Sequence, residues 1–219
     1  MKTVGLKLPV AADDLRQLEV GTVVYLDGVL YTGREGLYRR LIDQGQAPPV
    51  DLRSLSNANF HCSPAASVGN DGSYQVGAVT GTASFRFSHW LARWFEISDC
   101  RLIIGKGGMP LSDYRDHFVP RGAIYLTTVG YGTGALLGRG VKRVVDVYWL
   151  QELGVAQAMW VLEVENFGPF LVESDLAGNS LLEGASAGVN SRLEELYAGL
   201  KPPALGRYGE TTSRDDEVI

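Results

Sequence analysis

The amino-acid sequence predicts an α/β fold, and three observations carry that prediction. Strand and helix patterns alternate through the middle of the chain, as in folds that layer helices on a sheet. Strand candidates such as Arg101-Leu102-Ile103-Ile104 are short apolar runs of the kind that lie buried in a sheet. A chain of 219 residues with 45% hydrophobic content can also close a sizeable core, and its length fits one domain with at most an appendage.

Residues 11–18 read as a short helix, with Asp13 and Asp14 in the first turn, where acidic charge suits the helix dipole. Residues 22–26 and 29–32 read as two strands joined at Asp27-Gly28, a hairpin turn signal. A helix follows over about 35–44, with Leu37, Leu41 and Ile42 as its apolar stripe, and Pro48-Pro49 ends that unit. Residues 59–62 form a short strand stopped by Ser63-Pro64, and 65–77 a loop. Residues 78–86 then read as a tight loop opening a helix that runs to about Phe95. Its apolar face holds Phe85, Trp90, Leu91, Trp94 and Phe95, and Thr80, Thr82 or Ser84 supplies the capping oxygen. The strand at 101–104 is closed by Gly105-Lys106-Gly107-Gly108, and a short helix spans 111–118. A strand at 123–129 leads into a glycine-rich turn and a helical turn near Leu136; further strands cover 144–149, 159–165 and 170–173. A last helix covers 193–200. The domain is expected to span residues 1–200, and 201–219, rich in Pro, Gly and charge, to be a disordered tail.

Composition narrows the function. A net charge of −5 without any basic run argues against a general nucleic-acid binder. No stretch approaches the roughly 18–20 apolar residues of a membrane span, and the residues up to Gln17 lack the apolar core of a signal peptide. Cys62 and Cys100 lie far apart, while a structural zinc or iron–sulfur site takes about four ligands. Two such cysteines fit a reducing, cytoplasmic setting. The chain is thus expected to bind neither nucleic acid nor membrane, and to hold no metal.

Three basic residues in glycine-containing segments follow strand patterns: Arg34, Arg86 and Lys106. Ligand sites in open α/β sheets gather at the carboxyl ends of strands. Together these residues would line a pocket for an anion with more than one carboxylate, the arginines as bidentate forks and the lysine as a point charge. Arg86 lies about one helical turn beyond Thr82 and can face the same way. Taken singly, each is an ordinary surface charge, and 78–86 alone is a capped helix behind a loop. Gly105-Lys106-Gly107 lacks the upstream glycine and following hydroxyl of a phosphate loop. Gly130 to Ala135 fits the dinucleotide pattern GxGxxA, yet too few residues follow before the next strand for a βαβ unit. His61 and Cys62 sit in an apolar strand and are assigned no chemistry; His89 and His117 fall on helices as surface or packing residues.

The ordered set Leu26-Asp27-Gly28, Tyr31-Thr32-Gly33-Arg34-Glu35, Thr82-Ala83-Ser84-Phe85-Arg86 and Ile104-Gly105-Lys106-Gly107-Gly108-Met109 resembles the β subunit, or C-terminal domain, of class I fumarases and the related L-tartrate dehydratase β subunit. Glu152-Leu153-Gly154, Trp160, Glu163-Val164-Glu165 and Gly178-Asn179 extend the resemblance, which covers residues 6–182. It implies a swivelling β/β/α domain of the fumarase C-terminal type. It implies reversible hydration and dehydration of a dicarboxylic 2-hydroxy acid of the fumarate/malate, tartrate or mesaconate type. It also implies a 4Fe–4S cluster held by cysteines of a partner α subunit, usually in an α2β2 assembly. Carried over by motif, the family's substrate-binding arginines fall on Arg34 and Arg86, its proposed base on Thr82, and the lysine of its GKGG motif, both catalytic and substrate-binding, on Lys106. The neighbours depart: Glu35 stands for an Asp, Tyr38 for a His, Gly81 and Ala83 for bulkier residues, and Ser63 for a Gly before Pro64. These departures imply a changed substrate or changed partner contact, with Gly81 and Ala83 widening the site. The alternative is a non-catalytic dicarboxylate-binding or scaffold homologue.

Overall fold

The structure, a computed structural model, describes residues 1–130 and 132–199; the expected tail at 201–219, Leu200 and Tyr131 lie outside the described residues. The chain divides into two compact units, Met1–Glu183 and Gly184–Ile219. The first unit opens with β1 (Thr3–Lys7), α1 (Ala12–Arg16), β2 (Val23–Thr32) and α2 (Glu35–Tyr38), which continues as a π turn over Arg39–Asp43. Then come α3 (Leu52–Leu55), β3 (Ala58–Phe60), β4 (Cys62–Val68) and β5 (Tyr74–Gly81). A 3-10 helix, Ser84–Trp90, runs into α4 (Leu91–Ser98), followed by β6 (Leu102–Gly105), α5 (Leu111–Asp113) with a π turn at Tyr114–Phe118, and β7 (Ile124–Thr128). The unit closes with α6 (Gly134–Arg139), β8 (Val141–Tyr148), α7 (Leu150–Leu153) and β9 (Met159–Ser174). Helix α8 (Leu181–Tyr197) starts in the first unit and carries on into the second.

Seven strands form one sheet in the order β1-β2-β3-β6-β7-β9-β8, and β2 also pairs with β9. That extra pairing closes β2, β3, β6, β7 and β9 into a barrel-like ring. The pairs from β1 through β7 are parallel, while β9 runs antiparallel to β2, β7 and β8. Because side chains alternate along a strand, the ring has two cores. Leu26, Leu30, Phe60, Leu102, Ile104, Leu126, Leu162 and Phe170 fill one side. Tyr31, Ile103, Tyr125 and Val161 point the other way, into an aromatic layer with Tyr38, Trp94 and Phe118. The mixed α/β architecture matches the sequence expectation. Among the described residues no helix is long and apolar enough to cross a membrane.

Several elements differ from expectation. Thr3–Lys7 adds a strand for which there is no sequence expectation, paired in parallel with the first half of β2. The Asp27-Gly28 hairpin does not exist: β2 runs straight through, with register shifts against β9 on either side of Leu26. Gly28, at φ +120°, lets the Leu8 carbonyl approach, since a Cβ there would lie 2.7 Å from that oxygen. The expected loop at 65–77 is mostly a hairpin of β4 and β5, turning at residues 69–73. The helix after Gly81 begins as a 3-10 helix behind Ala83, without a side-chain cap. The two strands expected at 159–165 and 170–173 are one 16-residue strand, and the last helix starts at Leu181 rather than 193.

Candidate active site at the carboxyl ends of the strands

The parallel strands β2, β3, β6 and β7 all end at one edge, and the sequence-marked segments lie there. Gly33 N–H donates to the Phe60 carbonyl at 3.0 Å, joining the exits of β2 and β3. His61 N–H donates to the Ile104 carbonyl at 2.8 Å, joining β3 to β6. Beyond that point β3 and β6 part. The hairpin leaves at Cys62 and returns at Gly81, its paired position, so it delivers Thr82 into the gap. Thr82 N–H donates to the His61 carbonyl at 2.7 Å, and Lys106 N–H to the Thr82 carbonyl at 3.1 Å. Ala83 and Lys106 thereby form a parallel bridge.

Arg34 stands at the start of α2 in extended conformation, its side chain partly buried. Its Nη1 donates to the Ala156 carbonyl at 3.0 Å, and its Nε is buried with no hydrogen-bond partner among the described residues. Burial lowers its pKa, and the positive charge of Arg86 lowers it further. Arg86 is exposed, its Nε 3.5 Å from the Ala83 carbonyl and its guanidinium 5.6 Å from the Phe87 ring centre. Thr82 is half-buried, and the exposed Lys106 borders a recess of about 90 Å³ together with Thr80, Gly81, Thr128 and Thr133. The segments that carry all four sequence-marked residues thus meet at one strand edge.

Beneath this edge lies a buried polar chain that sequence reasoning left without chemistry. Asn59 Nδ2 donates to Tyr38 Oη at 2.8 Å, and Tyr38 Oη lies 2.6 Å from His61 Nε2. His61 Nδ1 lies 2.7 Å from Ser84 Oγ, which accepts from Tyr125 Oη at 2.8 Å. All five residues are fully buried. Burial first, and then the Arg34 charge, push the His61 pKa down to about 3, so the imidazole is neutral. A signal existed: Asn59 and His61 interrupt an apolar strand, and polar side chains buried there must find partners.

The model of the fumarase C-terminus family matches residues 1–185. This chain belongs to the fumarase C-terminus family. It is 34% identical over 179 residues to the L(+)-tartrate dehydratase subunit beta of Escherichia coli, covering 81% of this chain and 85% of that one. A Methanocaldococcus jannaschii protein provisionally given the same subunit name is 36% identical over 189 residues, covering 84% of this chain and 93% of its own. A Geobacillus stearothermophilus protein provisionally named fumarate hydratase class I is 32% identical over 204 residues, which is 92% of this chain but 37% of that longer protein.

Two departures from the fumarase pattern gain a physical reading. Tyr38 stands where the resemblance places a histidine, and its hydroxyl meets the His61 imidazole, so an imidazole remains in the same buried cluster. Gly81 does not widen the site as expected. A Cβ there would lie 2.9 Å from Thr128 Cγ2, so Thr128 already occupies that space. The residues present do not fit a cluster or metal. Cys62 and Cys100 are fully buried, and burial pushes both thiols up, Cys100 to about 12. No group of three His, Cys, Asp or Glu side chains suited to a metal ion occurs among the described residues. Nor do Gly130 to Ala135 start a dinucleotide unit, because α6 has six residues and β8 pairs antiparallel with β9.

Proposed function

We propose that this chain is the β subunit of an iron–sulfur-dependent hydro-lyase that removes water from a dicarboxylic 2-hydroxy acid, or adds it to the corresponding unsaturated dicarboxylate, of the fumarate/malate, tartrate or mesaconate type. The observation that carries the reading is the convergence of the segments bearing Arg34, Thr82, Arg86 and Lys106 at one strand edge. The names of the relatives support the same class. The swivelling-domain description of the fold belongs to this proposal, as does a cytoplasmic α2β2 assembly. The partner α subunit is proposed to bring the 4Fe–4S cluster, since this chain's described residues do not fit one.

Dehydration of such an acid removes a proton from the carbon next to one carboxylate and expels hydroxide from the adjoining carbon. As the proton leaves, that carboxylate takes on a second negative charge. Arg34, Arg86 and Lys106 stabilise this dianion more than the ground state, which is what lowers a barrier. Thr82 is proposed to take the proton. A threonine hydroxyl is a weak base in water, and the surrounding cations favour its alkoxide. The departing hydroxyl is assigned to the partner's half of the site.

The test is anaerobic co-expression with a cluster-bearing α subunit, followed by assays with fumarate, L-malate, tartrate isomers and mesaconate. Turnover of at least one is expected. A cluster-loaded complex that turns over none of them overturns the reading.

A further inference from the structure

His61 is hydrogen-bonded to the segments of all four proposed site residues. Its Nε2 meets Tyr38 Oη on α2, and Tyr38 N–H donates to the Arg34 carbonyl at 3.2 Å, which ties it to the arginine turn. Its Nδ1 meets Ser84 Oγ, the first residue of the 3-10 helix that carries Arg86. Its carbonyl accepts Thr82 N–H, and its N–H donates to Ile104, two residues before Lys106. The ring is wedged edge-on against Tyr38 and Phe87, with centroids at 5.8 and 4.9 Å.

We propose that His61 is a positioning residue, which fixes the spacing of Arg34, Thr82, Arg86 and Lys106 through two side-chain and two backbone hydrogen bonds. The inference rests on the dicarboxylate site proposed above. The turn that begins at Arg34 and the 3-10 helix that carries Arg86 are joined side chain to side chain through this imidazole. A neutral imidazole suits the task, having one donor and one acceptor nitrogen for two hydroxyls on opposite sides. Ser84 receives a second anchor from Tyr125, and a Cβ on Gly105 would lie 2.0 Å from Ser84 Oγ, so the strand before Lys106 is shaped around this hydroxyl. His61 touches no substrate. Its effect is on how tightly the dicarboxylate is held.

The experiment uses the assembled complex with His61→Phe, His61→Gln and His61→Asn. Phenylalanine keeps the ring packing and loses both tethers. The Gln amide nitrogen falls near the Nε2 position and keeps the Tyr38 tether; the Asn amide falls near Nδ1 and keeps the Ser84 tether. His61→Phe is expected to lower kcat/KM at least tenfold, mainly by raising KM, with Gln and Asn intermediate. If His61→Phe does not fold, the Gln and Asn variants decide the matter, each raising KM several-fold. Leu15→Ala, a buried change on α1, serves as the control and is expected to lower the melting temperature while leaving KM within twofold. An active wild type whose folded His61 variants keep their KM, or a Leu15→Ala that raises KM equally, overturns this inference alone. A wild-type complex inert to every dicarboxylate overturns the proposed function, and the inference falls with it.

Discussion

His61 carries a protonation cost that is measurable apart from activity. Its ordinary pKa is 6.5, and in the fold it is pushed down to about 3. Between these values the unfolded chain binds a proton that the folded chain does not, so stability falls as pH drops through that window. The full contribution is present above about pH 6.5. The slope is at most about 1.4 kcal/mol per pH unit. Denaturant titrations across this range should show wild type losing stability more steeply than His61→Gln. Parallel curves would mean that His61 is solvated or charged in the fold. At this scale the sequence was legible for exposed chemistry and not for buried chemistry. Arg34 and Lys106 stand out because each is a charge beside a glycine at the end of a strand, and Arg86 because it follows the small-residue stretch that opens a helix. The Tyr38–His61–Ser84 chain joins residues more than 20 positions apart, and no local spacing marks such a contact.

The strands show where local signals mislead. Asp27-Gly28 has the chemistry of a two-residue turn, yet β2 continues through it because β1, β3 and β9 all pair with this strand. The glycine serves the close pass of Leu8, whose N–H donates to the Asp27 carbonyl at 2.7 Å. Gly28→Ala should destabilise the fold by about 2–4 kcal/mol, the sum of a left-handed backbone cost and overpacking. Thermal or urea unfolding checks this, and a loss under about 0.5 kcal/mol would show that the pass is looser than described. The 65–77 hairpin was hidden for a related reason. Gly, Ser, Asn and Asp crowd its turn, and the apolar residues that pack it on the core, Ala66, Tyr74 and Val76, are few and only partly buried. Buried apolar strands such as Leu102–Gly105 and Ile124–Thr128 were legible, because both faces meet a core.

For the molecule as a whole, the ring closed by β2 and β9 holds the ends of β2, β3, β6 and β7 at one edge. Alternating helix and strand patterns were enough to read the α/β class. The closure was not readable, since it depends on one long antiparallel strand crossing back over the parallel ones. In the proposed function Arg34 and Arg86 act as one clamp on a single dicarboxylate. A double-mutant cycle with Arg34→Lys and Arg86→Lys in the active complex tests it most directly, because lysine keeps the charge and removes the bidentate fork. Each substitution is expected to lower kcat/KM by roughly 100-fold, and the double variant to fall short of the product by at least about tenfold. Effects that multiply independently, or either single variant within twofold of wild type, would contradict it.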